Sequence, residues 1–458
     1  MNRKHPEKRG AFSGKLGYVL SAAGASVGLG NIWRFPYLAA KYGGGIFLII
    51  YIVLALTFGY TMIVAETAIG RMTRKSPVGA FKSFGKKKWL SFGGWINAVI
   101  PVLIVPYYSV IGGWVIKYLV EYFRGNAKQL AEDGYFTDFI SNGVSTELCF
   151  MAFCAFTLII IFAGVQNGIE RVSKIMMPIL IVLSVIIAVY SVTRPGALAG
   201  VKYFLVPNVK NFSWMTVVSA MGQMFYSLSI AMGILITFGS YMKKDTAIED
   251  STRNVEVFDT GIAIMAGLMI IPAVFAFSGG DPDTLQAGPS LMFITIPKVF
   301  QNMGFGTVIG IVFFMLVLFA AVTSSIALTE SAVSTFEDEL GWGRKKATVL
   351  VGVIMLALGS LSSLGYGPLA GIKIIGMQFL DLFDFLTNSV MMPIAALLTS
   401  LFVSRVVGID KIEEEIIHGE SAFRRKKVFV VMIKYLCPVF AIIILLSSVA
   451  NALGWIKM

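Results

Sequence analysis

This sequence predicts an all-α polytopic membrane protein, on three observations. Of its 458 residues, 56% are hydrophobic and 14% charged, where a soluble domain carries about 25% charged. The chain resolves into eleven apolar runs, each near the ~20 residues that a helix needs to cross a bilayer. Runs one and six are interrupted by glycine and polar residues at corresponding places. Spans 1–5 and 6–10 then form an inverted five-helix repeat (5+5) with discontinuous helices 1 and 6, and the eleventh is one extra C-terminal helix.

In order, the spans lie at 14–38, 46–70, 89–122, 147–166, 172–192, 213–241, 256–278, 305–336, 346–364, 373–404 and 428–454. The first repeat is 14–192, the second 213–404, and residues 1–13 are a basic cytoplasmic segment. That segment is no signal peptide, because the following run is long and has no small-residue cleavage pattern. Orientation follows from Lys and Arg in short loops. Arg3, Lys4, Lys8 and Arg9 precede span 1, and Arg71, Arg74, Lys75, Lys82, Lys86, Lys87 and Lys88 follow span 2. Arg344, Lys345 and Lys346 follow span 8, and Arg424 to Lys427 follow span 10. All lie on one side, so the N-terminus is cytoplasmic and the C-terminus extracytoplasmic, in the inner cell membrane. The net charge of +12 is therefore a topology signal and not a nucleic-acid surface.

Outer loops carry less positive charge. Arg124 to Glu147 is polar, and Ser278 to Gly306 contains Leu291 to Pro297, a stretch too short to span and suited to a partly buried lid. Cys149, Cys154 and Cys437 fall in apolar runs as packing thiols, and His5 and His418 are far apart. No metal-ligand spacing exists, and no nucleophile–base pair marks an enzyme.

Span 1 contains Gly24-Ala25-Ser26-Val27-Gly28-Leu29-Gly30-Asn31-Ile32-Trp33-Arg34, and span 6 contains Gln223 to Gly233 with Tyr226, Ser227 and Ser229. Irregular backbone at membrane depth is tolerated only where it is buried or lines a cavity. A broken helix offers N–H groups to an anion at one half and C=O groups to a cation at the other. Two such breaks in corresponding positions of two repeats point to a midplane binding site.

The runs Gly24 to Tyr37 and Gln223 to Gly233, with Thr323-Ser324-Ser325, resemble the neurotransmitter:sodium symporter family in its bacterial amino-acid branch. The resemblance runs from about Lys8 to Lys434. Members usually have twelve spans, and some bacterial ones stop at eleven. The resemblance implies two Na+ ions and no organic cofactor. One sodium would sit on Gly24 and Val27 carbonyls, the Ala320 carbonyl and the Thr323 and Ser324 hydroxyls. The other would use Ser26, Asn31, Ser227 and a residue early in span 7, where Asp259 aligns better than Asn254. Chloride-dependent members place Ser one turn later, where this chain has Ile262 and Ala263. A carboxylate at Asp259 would replace chloride's negative charge.

The same resemblance implies the substrate contacts. Leu29 and Gly30 amides and the Tyr108 hydroxyl would hold a carboxylate. Ser26, Tyr226, Ser227 and Ser229 would hold an amine. Ala25, Ile104, Tyr108, Tyr226, Met232, Ser324 and Leu328 would form the walls. Amine carriers have Asp where this chain has Gly28, so the substrate brings its own carboxylate. Ala231 stands where many members have Gly and narrows one wall. Arg34 and Asp384 would close the outer gate with Gln223 near the arginine. Arg9 and Asp338 would close the inner one, supported by Phe12, Ser240, Tyr241 and Glu330. The expectation is a sodium-coupled importer of a neutral, hydrophobic amino acid working by alternating access, chloride-independent, and not an enzyme. Its partners are that small amino acid and the lipid bilayer, with a homodimer left open.

Overall fold

The computed structural model describes residues 9–85, 87–279, 288–452 and 455. Arg3, Lys4, Lys8 and Lys86 of the topology argument, and Gly280 to Asp283 of the outer loop, lie outside the described residues. Among those described, nine helices are long and apolar enough to cross a membrane. They are Gly45–Thr73, Lys88–Phe123, Gly143–Phe162, Val165–Val192, Ile248–Ser278, Gly306–Leu340, Arg344–Leu364, Phe379–Val407 and Lys426–Asn451. The two expected spans missing from this set are the two interrupted ones, and together they make eleven.

Span 1 is built from Lys15–Ser26, a π-helical turn Gly30–Arg34 and Phe35–Lys41. Val27 leaves helical geometry with ψ 96°, and its N–H still bonds Ala23 O at 2.7 Å, closing the first half. Span 6 is built from Trp214–Ser227 and Ile234–Tyr241. Between them, Ser229, Ala231 and Gly233 take left-handed φ values of 52°, 59° and 69°. Left-handed backbone costs an L-residue about 1–2 kcal/mol, so this break is held by its surroundings. Glu66 on span 2 supplies part of that hold. It is fully buried, and its Oε1 accepts the Ala231 N–H at 2.7 Å.

The glycines of span 1 have a different job. None takes a left-handed φ. A Cβ at Gly28 would stand 2.7 Å from Ser324 Oγ, and one at Gly30 would stand 2.4 Å from the Tyr226 ring. They are small so that spans 3, 6 and 8 can close on the break.

Some boundaries shift. Span 7 begins at Ile248 and not at 256, because the helix continues through the charged residues Glu249, Asp250 and Arg253, where hydropathy sees no span. Span 10 begins at Phe379 and not at 373, because Ile374 and Met377 pair as a tight turn before it. The short apolar stretch of the outer loop folds as Leu291–Gln301. Leu291, Met292 and Phe293 are buried, and Tyr118 OH donates to Phe293 O at 2.7 Å.

Candidate functional site

The two breaks face one another and enclose a cavity with Tyr108 and Ile104 of span 3 and Ser324 and Leu328 of span 8. Of the twelve residues expected to touch substrate, eleven line it; the exception is Ser227. Gly28 and Asn31 line it as well. The Leu29 N–H, at the start of the outer half of span 1, donates to Tyr108 OH at 3.4 Å. These two groups can grip one carboxylate. Met232, Ile104, Leu328 and Ala25 give the rest of the wall an apolar character. The Ser229 hydroxyl lines the cavity but donates to Ala25 O at 2.9 Å.

Next to the cavity lies a cluster around Asp259. This side chain is fully buried. Asn31 Nδ2 donates to Oδ1 at 2.8 Å, Ser227 Oγ at 2.9 Å, and Tyr51 OH to Oδ2 at 3.0 Å. No basic side chain pairs with it among the described residues. A buried carboxylate without a cation is costly, so the group fits a monovalent cation. The competitor Asn254 is half-buried five residues earlier on the same helix and is not among the cluster's hydrogen-bond partners. Asn31 turns its nitrogen to the cluster while its Oδ1 accepts the Gly28 N–H at 3.1 Å, so its oxygen is not directed at Asp259 as a sodium ligand set requires. Ser26 Oγ reaches Ala22 O at 3.1 Å and Leu228 O at 3.4 Å, tying the two breaks together.

A second oxygen group forms where spans 1 and 8 touch. Ser324 Oγ lies 3.3 Å from Gly24 O, 3.2 Å from Ala25 O and 3.4 Å from Val27 O. One hydroxyl proton cannot satisfy three carbonyls. The surplus of uncharged hard oxygens fits a cation. Thr323 packs on Gly24 and donates to Phe319 O and Ala320 O at 3.0 and 3.2 Å.

A match to the model of the Sodium:neurotransmitter symporter family covers residues 9–133 and 121–455. This chain belongs to that family. The uncharacterised sodium-dependent transporter YhdH of Bacillus subtilis is 34% identical over 442 residues, 96% of this chain and 97% of that protein. The solved structure of MhsT in complex with L-phenylalanine superposes with a TM-score of 0.86 at 35% identity, covering 96% of this chain and 100% of that one. The human sodium- and chloride-dependent GABA transporter 2 is 27% identical over 89% of this chain and 75% of that protein. The symporter family is one of transporters, and its all-helical membrane fold is the fold found here.

The two gates expected of a symporter differ. At the end expected to face the cytoplasm, Arg9 Nη1 lies 2.7 Å from both Asp338 oxygens, and Arg9 Nε donates to Ser240 Oγ at 2.9 Å. The Arg9 guanidinium also covers the Tyr241 ring at 5.2 Å. Tyr241 OH donates to Glu330 at 2.7 Å, and Arg344 holds the same carboxylate through two nitrogens at 3.0 and 2.6 Å. Phe12 is buried edge-on against Tyr18, Phe238 and Tyr241.

On the outer side Arg34 and Asp384 form no ion pair. Arg34 sits over the Tyr226 ring at 5.2 Å. Asp384 Oδ1 instead accepts Asn388 Nδ2 at 2.6 Å and Tyr107 OH at 3.2 Å. Gln223 contacts the Gly30 carbonyl at 2.9 Å and makes no hydrogen bond to Arg34. The two expected partners therefore stand apart in this conformation. Sequence reasoning also missed Tyr51, Glu66, Tyr107, Asn388 and Arg344. Tyr51, Glu66 and Tyr107 lie in apolar runs with partners 208, 165 and 277 residues away, Asn388 is one turn from Asp384, and Arg344, read from sequence only as a topology charge, holds Glu330 fourteen residues earlier.

Proposed function

We propose that this symporter imports a neutral, hydrophobic amino acid together with two sodium ions, by alternating access and without chloride. The observation that carries the reading is Gly28. A side chain there would meet Ser324 Oγ at 2.7 Å and Tyr108 OH at 3.1 Å, so none fits at this position, and the described residues that line the cavity include no acid to pair with an amine. The substrate must supply a carboxylate, and the Leu29 N–H and Tyr108 OH are the donors available to it. The apolar wall supports an uncharged side chain, as does the phenylalanine bound by the similar MhsT.

The proposed sodium sites are Ser26, Asn31, Ser227 and Asp259 for one ion, and Gly24, Val27, Ala320, Thr323 and Ser324 for the other. A bound substrate carboxylate beside the first ion couples the two electrostatically. For Asn31 to join, its amide turns so that the oxygen faces Asp259. Asp259 supplies the fixed negative charge that makes chloride unnecessary. Each ligand then biases the outward and inward states by its differential affinity. We place the transporter in the inner cell membrane, N-terminus in the cytoplasm and C-terminus outside.

A thermal-unfolding screen of twenty amino acids in sodium or potassium, each with chloride or gluconate, tests this reading. A ligand at a hundredfold its Kd stabilises by about 2.7 kcal/mol. One or more apolar amino acids should raise the midpoint in sodium only, equally with both anions. A shift that survives in potassium removes the coupling, and one that requires chloride removes the role given to Asp259.

A further inference from the structure

The outer gate has one tethered member and one loose member. Asp384 lies inside the helix Phe379–Val407, just before its π-helical stretch Phe385–Met391. Its Oδ1 takes two hydrogen bonds, from Asn388 Nδ2 at 2.6 Å and Tyr107 OH at 3.2 Å. Asn388 Nδ2 also reaches Tyr107 OH at 3.2 Å, and Thr387 lies 3.4 Å from that hydroxyl. The carboxylate is thus pinned between span 10 and the middle of span 3. Its Oδ2 has no hydrogen bond among the described residues.

Arg34 is the opposite case. Its guanidinium carries five N–H donors, yet among the described residues its one recorded contact is the Tyr226 ring. Gln223 adds an unmatched acceptor. Its side chain is fully buried and its Oε1 has no partner. An arginine that left the Tyr226 ring would find the free oxygen of Asp384, with an unpartnered acceptor also waiting on span 6.

We propose that Tyr107 and Asn388 form a brace that makes Asp384 the stationary half of the outer gate, while Arg34 is the half that moves. The proposal rests on the transport reading above. Tyr107 and Asn388 are positioning residues: they act on substrate retention through Asp384 and touch no substrate. A single charge-assisted hydrogen bond sets the expected scale, about tenfold.

The test is a double-mutant cycle on the full-length protein, with Asn388→Ala, Asp384→Ala and the double variant. In detergent without amino acid, Asn388→Ala should lower the unfolding midpoint in the parent and have little further effect in the Asp384→Ala background. With radiolabelled L-phenylalanine in sodium, Asn388→Ala should speed release about tenfold in the parent and leave it unchanged without Asp384. Sodium affinity in the absence of amino acid should stay the same. Tyr107→Phe should act in the same direction with a smaller effect. Additive midpoints, or a fall in sodium affinity alongside faster release, overturn the brace. A parent protein that binds no amino acid in sodium overturns the transport reading, and the midpoints then still judge the brace.

Discussion

The two ends of the transport path use the same kinds of group and arrive at different states. Each has an arginine near span 1, an aspartate on the facing repeat and a tyrosine under the cation. At the end expected to face the cytoplasm, arginine and aspartate are joined by two contacts of 2.7 Å, and Asp338 also accepts the Ser76 N–H at 2.6 Å. At the outer end the arginine rests on the ring of Tyr226 and the aspartate is held by other partners. Identity of residues does not decide whether a gate is shut. What differs is where the arginine rests. Arg9 has reached Asp338, whereas Arg34 lies on the Tyr226 ring while an amide and a phenol hold one oxygen of Asp384 and leave the other open.

That asymmetry can be tested from its strongest point to its weakest. Arg344→Ala should cost the most, because it leaves Glu330, fully buried, with only the Tyr241 hydroxyl. Removing one partner of a buried pair costs roughly 3–5 kcal/mol, and denaturant unfolding would read it. A loss below about 1 kcal/mol would mean that Glu330 belongs to no stabilising network. Asp338→Ala comes next. Its side chain and that of Arg9 are 23% and 19% exposed, so the pair is partly screened and about 1.5–3 kcal/mol is expected. The loss should appear as inward opening, read as labelling of a cysteine placed at the buried Thr237 and accelerated at least tenfold. Arg34→Ala should be the mildest in the substrate-free protein. A cation over a ring at a half-exposed site is worth about 0.5–1 kcal/mol, so the unfolding midpoint should move little. If Arg34→Ala destabilises more than Asp338→Ala, the contrast between the gates is wrong.

The sequence revealed most of this architecture through hydropathy, because nine spans are continuous and the other two are interrupted by residues that lipid excludes. The cavity was legible for the same reason. Gly28, Gly30 and Ser229 stand out only because their surroundings are apolar. The resemblance then supplied the opposite walls, Tyr108 and Leu328, which no local pattern marks. Tyr51 shows where reading stops. It lies in Ile49-Ile50-Tyr51-Ile52, where a lone tyrosine reads as packing, and its partner Asp259 is 208 residues away. Asp384 shows a second limit. Its position was legible, but that Tyr107 and Asn388 hold one of its oxygens while Arg34 lies elsewhere is something only geometry resolves.

The break in span 1 has a consequence for how the path can move. Arg9 leads into the half-helix Lys15–Ser26, and Arg34 ends the turn Gly30–Arg34. A continuous helix joining the two would be a stiff lever, and tilting one end would drag the other. With extended backbone at Val27, the halves are doors hung on separate frames. The inner door can stand bolted while the outer one swings, and the hinge between them is the same stretch of chain that faces the passenger.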